Sequence, residues 1–120
     1  MRNTYLQFIQ FITGAVIAIL LGIHIVYMHL DAILSFFGVD VAESTSFDSM
    51  MERSGQGIWA ALYIALLIFG LYHALNGLRG IILELTSSPV TGRIVTWVIV
   101  VVGIVFLILG IYAPLALLSV

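Results

Sequence analysis

The sequence contains no cysteine. That excludes a disulfide framework, thiolate metal sites and iron–sulfur ligation by this chain, and leaves histidine as the residue able to hold a redox centre. Charge is nearly as scarce, with Asp, Glu, Lys and Arg making up 8% of 120 residues. The positive charges are four scattered arginines, Arg2, Arg53, Arg79 and Arg93, and the formal net charge is −2. With no basic cluster, a nucleic-acid partner is set aside.

What the chain has instead is apolar length. Hydrophobic residues form 62% of it and the mean hydropathy is +1.23, far outside the range of soluble domains of this size. Runs of about 20 apolar residues satisfy their backbone in hydrocarbon as helices, whereas barrel strands are shorter and alternate in polarity. Three such runs predict an all-α membrane protein and a single transmembrane domain over residues 1–120, with helices at about 5–37, 57–85 and 94–118. The N-terminal run is too long for a signal h-region and has no small-residue cleavage site, so it reads as a retained helix. Residues 38–56, with Asp40, Glu43, Asp48 and Glu52, read as an exposed acidic loop, and Pro89 and Gly92 as the break before the third helix. Arg2 and Arg93 flank one side and Arg79 lies near it, which places the N-terminus in the cytoplasm and the acidic loop and C-terminus outside. The third helix has no ionisable side chain after Arg93 and reads as a packing element, with Gly103 and Gly110 admitting a close neighbour.

Ionisable groups within hydrocarbon cost about 2.5–3.5 kcal/mol near the centre, so each is a candidate for function. Asp31 and Glu84 sit at helix ends, where solvation accounts for them, and His29 beside Asp31 reads as interfacial. His73 lies 11 residues before Glu84, roughly 16 Å along the helix. Gly70, Asn76, Gly77 and Gly80 share its face. A flat macrocycle needs such a groove, with a neutral imidazole as axial ligand to iron, but the same stripe also suits plain helix packing, and spacing alone does not choose. By the same rise His24 lies about 12 Å further out than His73. If both are ligands they serve two separate sites, each completed by another chain. Otherwise His24 is a polar contact in the outer third of the slab. Arg79 lies at a depth where a propionate or a quinone head group would sit, and a guanidinium holds a carboxylate bidentately; the alternative is simple snorkelling. Gln7, Gln10 and Thr13 line one face of helix 1 and offer neutral donors and acceptors to a quinone carbonyl.

The segment Tyr72-His73-Ala74-Leu75-Asn76-Gly77-Leu78-Arg79-Gly80-Ile81-Ile82-Leu83-Glu84-Leu85 resembles the second-helix motif of the cytochrome b membrane anchors of succinate dehydrogenase and fumarate reductase, the complex II family. Ile12-Thr13-Gly14 followed by His24 is similar to that family's first-helix opening and histidine. The resemblance implies half of a helical haem-binding bundle, completed by a second anchor subunit of C or D type, that docks an iron–sulfur subunit and a flavoprotein subunit on the membrane. It implies haem b, one or two per complex, with His73 as axial ligand of one iron and His24 of a second, and with Asn76, Gly77 and Arg79 around the cofactor. Quinone is the implied electron acceptor, and Gln10 and Thr13 are the candidates to meet it, although many members place Ser and Arg just before the Thr-Gly pair where the same region here offers Gln7, Gln10 and Phe11. The implied setting is a prokaryotic inner or plasma membrane, with succinate oxidation and electron transport carried out by the complex and no dicarboxylate chemistry on this chain. Two other classes stay open: a haem-free packing subunit of another membrane complex, and a proton-relay subunit using His24, Asp31 and Glu84.

Overall fold

The computed structural model describes residues 4–119. Arg2, one of the charges used above to orient the chain, lies outside the described residues. Five helices follow one another: α1 (Thr4–Met28), α2 (Leu30–Phe36), α3 (Phe47–Ser54), α4 (Gly57–Glu84) and α5 (Pro89–Leu118). Three of them, α1, α4 and α5, have 25, 28 and 30 residues and are apolar enough to cross a membrane. At 1.5 Å per residue even the shortest reaches about 37 Å, more than the ~30 Å hydrocarbon slab.

The run read as one helix over 5–37 is divided at His29. The Met28 carbonyl accepts a hydrogen bond from the Ser44 hydroxyl at 3.1 Å, while His29 N–H still reaches the Ile25 carbonyl at 3.1 Å. The interruption is therefore a local one. α2 then ends in a Schellman arrangement: Gly38 adopts φ +80°, its N–H bonds to the Ser35 carbonyl and that of Val39 to the Leu34 carbonyl. A left-handed residue at this position is why glycine stands there. The acidic loop contains a short helix that hydropathy could not reveal, α3, capped by Ser46, whose hydroxyl accepts from Ser49 N–H at 3.3 Å. Ser88 caps α5 in the same way, and Pro89 occupies the first helical position, where its missing N–H costs nothing. The third helix thus starts five residues earlier than hydropathy places it, because this proline opens a helix as well as ending the preceding one.

α4 stands in the middle of a row, packed on α1 along one side and α5 along the other, and α1 does not meet α5 among the described residues. The α4–α5 contact follows from alternating bulk. A Cβ on Gly110 would lie 2.5 Å from Leu67 Cδ2, one on Gly103 3.0 Å from Leu75 Cδ1, and one on Gly92 3.2 Å from Leu83 Cδ2. Leucines spaced eight apart on α4 thus settle against glycines on one face of α5, the close approach that small residues permit where no hydrophobic force drives helices together. The result is thin, 57 × 34 × 21 Å, and exposes 8648 Å², against about 6400 Å² for a compact soluble protein of this mass. The excess is apolar and falls on all three spans, as in a protein solvated by lipid.

Candidate functional site

The α1–α4 contact is polar where the α4–α5 contact is not. Four side chains close it: Gln10 and Thr13 from α1, His73 and Asn76 from α4. Gln10 Nε2 donates to the His73 carbonyl at 2.9 Å, and its Oε1 accepts from Asn76 Nδ2 at 2.9 Å. The Gln10 carbonyl accepts from the Thr13 hydroxyl at 3.0 Å and lies 3.1 Å from His73 Nδ1; Thr13 Oγ1 is 3.3 Å from the same nitrogen. Thr13 is one of the few buried polar residues.

These contacts fix the histidine tautomer. A carbonyl oxygen can only accept, so the contact requires a proton on Nδ1, and in the neutral ring Nε2 then keeps its lone pair. Nε2 makes no hydrogen bond among the described residues. A backbone carbonyl on Nδ1–H is the usual way an imidazole is oriented as a metal ligand through its other nitrogen.

The ring rests on a glycine. A Cβ on Gly14 would lie 3.0 Å from His73 Cε1, and one on Gly77 3.0 Å from Gln10 Nε2. By contrast Gly70 and Gly80 have nothing within 4 Å of the position a Cβ would take, and of the two Gly80 lines the groove beside the ring. Beside it runs an open groove of about 1060 Å³ lined by His73, Asn76, Gly77, Arg79, Gln7 and Gln10 among others. It is open laterally. Arg79 is held at its mouth by a bond from Nε to Thr96 Oγ1 at 2.9 Å, and that hydroxyl in turn donates to the Gly92 carbonyl at 2.9 Å.

Of the residues singled out from sequence, the structure brings Gln10, Thr13, His73, Asn76, Gly77 and Arg79 together. Both functions of the Gln10 amide are taken up within the chain. His24 stands apart. Its ring meets Tyr63 edge to face at 5.9 Å, in a crevice of about 20 Å³. Tyr63 precedes His73 on α4 by ten residues, about 15 Å of helix. Two contributors escaped sequence reasoning. Thr96 gives α5 a polar role beyond packing, and its position one turn after Gly92 carried no signal of it. Arg53, read as a loop residue, is buried. Asp31 does more than face solvent: the Ser44 hydroxyl donates to its Oδ1 at 2.8 Å, and that bond holds the carboxyl below its ordinary value of 3.8. Among the described residues no group of three or more His, Cys, Asp or Glu is placed to hold a metal ion.

The fold and its polar seam define a class, the three-span helical membrane proteins with a half-buried histidine between two helices. Residues 3–110 match the family model described as succinate dehydrogenase/fumarate reductase transmembrane subunit, and the chain belongs to that family. It is similar to the succinate dehydrogenase hydrophobic membrane anchor subunit of Thermoplasma acidophilum, with 29% identity over 104 residues, 87% of this chain and 78% of the relative. No solved structure matches the chain.

Proposed function

We propose that this chain is a haem b-binding anchor of a succinate:quinone oxidoreductase, with His73 as an axial ligand. The observation that carries the reading is the His73 imidazole: protonated at Nδ1 by its contact with the Gln10 carbonyl, free at Nε2, and set beside a groove floored by glycine. The donor set fits the group, since an imidazole nitrogen is a usual axial ligand of haem iron and the ring lies so close to Gly14 that a Cβ there would crowd it at 3.0 Å. A bound haem b supplies a one-electron carrier. The chain's own part is to orient the imidazole through Gln10 and Thr13, to keep the floor bare at Gly80, and to place Arg79 where its terminal nitrogens reach a carboxylate at the groove mouth. Packing within the chain does not account for the whole glycine stripe, because Gly70 and Gly80 meet no neighbouring side chain among the described residues.

The open side of the groove suits a second anchor chain as its missing wall. His24 is the candidate ligand for a second haem, about 15 Å further out. Its own crevice holds little more than a water, so there the partner would have to provide nearly all of the cavity. In this reading the iron–sulfur and flavoprotein subunits sit on the side of Arg79 and Arg93, the cytoplasmic face of a prokaryotic membrane, and quinone is reduced near that surface. With the amide of Gln10 committed to His73 and Asn76, Gln7 and Arg79 are the groove's freer polar groups for a quinone carbonyl.

The test is a reduced-minus-oxidised spectrum with haem quantified on the complex purified through this chain. His73→Ala should remove one b-type haem, and His24→Ala a second. A wild-type complex without haem overturns the proposed role, and a wild-type complex with a single haem, or a haem content unchanged by His24→Ala, overturns the two-haem count.

A further inference from the structure

A second polar cavity lies at the opposite end of the bundle, where α1 ends and α4 begins, roofed by α3. It measures about 320 Å³ and is lined by Tyr27, Asp31, Glu52, Arg53, Gln56 and Trp59 among others. Arg53 is only 5% exposed, yet its Nε has no hydrogen-bond partner among the described residues and no carboxylate there forms an ion pair with it. Its guanidinium lies over the Tyr27 ring, whose centroid is 5.1 Å from Cζ. A buried guanidinium left without an anion is expensive, and the cation–π contact offsets only part of that.

The surrounding charge selects the occupant. Five of the chain's six carboxylates, Asp31, Asp40, Glu43, Asp48 and Glu52, lie within 31–52, and two of them line this pocket beside Arg53. A free anion meets that negative field, a free cation meets Arg53, and a neutral molecule leaves the guanidinium unpaired. A group with a phosphate and an ammonium a few bonds apart satisfies both signs. The setting provides one: Tyr27 and Trp59, with ring centroids 4.4 Å apart, stand at the end of a spanning helix and the start of the next, the level at which aromatic side chains meet lipid headgroups. Acyl chains held in the bilayer keep such a headgroup at high local concentration, which a soluble anion lacks.

We propose that this pocket binds the headgroup of a zwitterionic phospholipid, its phosphate on Arg53 and its primary ammonium beside Asp31 and Glu52. The site is independent of haem.

The complex purified through this chain, reconstituted in nanodiscs with equal phosphatidylethanolamine and phosphatidylglycerol, is released and its retained lipid counted by native mass spectrometry. The wild type should keep phosphatidylethanolamine over phosphatidylglycerol. Arg53→Gln should cut that retention roughly tenfold, the factor equivalent to ~1.4 kcal/mol. Asp31→Asn with Glu52→Gln, which leaves Arg53 in place, should abolish the preference between the two lipids even if Arg53→Gln fails to assemble. Millimolar inorganic phosphate should displace nothing. Equal retention by wild type and Arg53→Gln, a wild-type preference for phosphatidylglycerol, or displacement by phosphate alone would each overturn the proposal.

Discussion

Replacing Gln10 by leucine separates two roles that one residue was offered from sequence. Its amide makes two interhelical bonds, to the His73 carbonyl and from Asn76, both at 2.9 Å. Interhelical bonds in membranes average about 0.6 kcal/mol and reach about 1.7, so losing both weakens the α1–α4 seam by roughly 1–3 kcal/mol. The Gln10 backbone carbonyl survives the substitution, so Nδ1–H of His73 keeps its acceptor and the ring its tautomer. The expected result is a complex that still binds haem but releases it at a lower temperature, with the KM for quinone little changed. Thermal release followed at the haem absorbance, beside steady-state quinone kinetics, measures both. Unchanged thermal release together with a KM raised tenfold or more would refute the clamp and return Gln10 to quinone contact.

Gly14→Val should expel the His73 ring, since even a Cβ there lies 3.0 Å from Cε1; the b-type spectrum should be lost while the chain still inserts, which membrane fractionation checks. Arg79→Gln removes a positive charge at the groove mouth and should lower the haem midpoint potential in a redox titration, because the oxidised form gains relative stability. Gly110→Leu should drive α5 off Leu67, seen as increased protease sensitivity of the segment joining α4 and α5. Ser44→Ala should alter acid sensitivity. The bond to Ser44 depresses the folded-state value of Asp31 below 3.8, so its stabilisation is present above that value and fades as pH falls through the lower folded one. Wild type should therefore hold a steady stability advantage over the variant at neutral pH that shrinks as pH falls below 3.8, and identical curves would contradict the contact's effect.

Hydropathy was enough for the three spans, because a bilayer imposes length and apolarity on every crossing helix and hides neither. It was also enough to single out His73 and its glycines, since i, i+3 and i+4 spacing fixes a shared face whatever lies opposite. What lies opposite depends on the rotation of α1 against α4, which no local pattern encodes. Gln10 therefore read as a free polar group near a helix end when its amide is wholly engaged across the seam. Arg53 and Ser44 were unreadable for a related reason. Their surroundings come from chain folding back over the end of the bundle, and a loop of Ser, Thr and acids looks the same in sequence whether it hangs in water or roofs a pocket.

The asymmetry of the row bears on what completes it. Lipid can cover α5, whose outward side chains are apolar and whose seam to α4 is already filled by leucine on glycine. It cannot serve the groove beside α1 and α4 equally well. Acyl chains have no donor or acceptor for Gln7, Asn76 or the terminal nitrogens of Arg79, and polar groups left facing hydrocarbon cost on the order of a few kcal/mol each. A wall with polar groups of its own would relieve that cost, and a macrocycle with two carboxylates would relieve it most where Arg79 stands. The need for a second anchor chain is thus argued from the same residues as the need for haem. The two separate experimentally: expressed alone, this chain should bind haem weakly or not at all while still inserting its three spans, and full haem occupancy of the isolated chain would remove the argument for a partner at the groove.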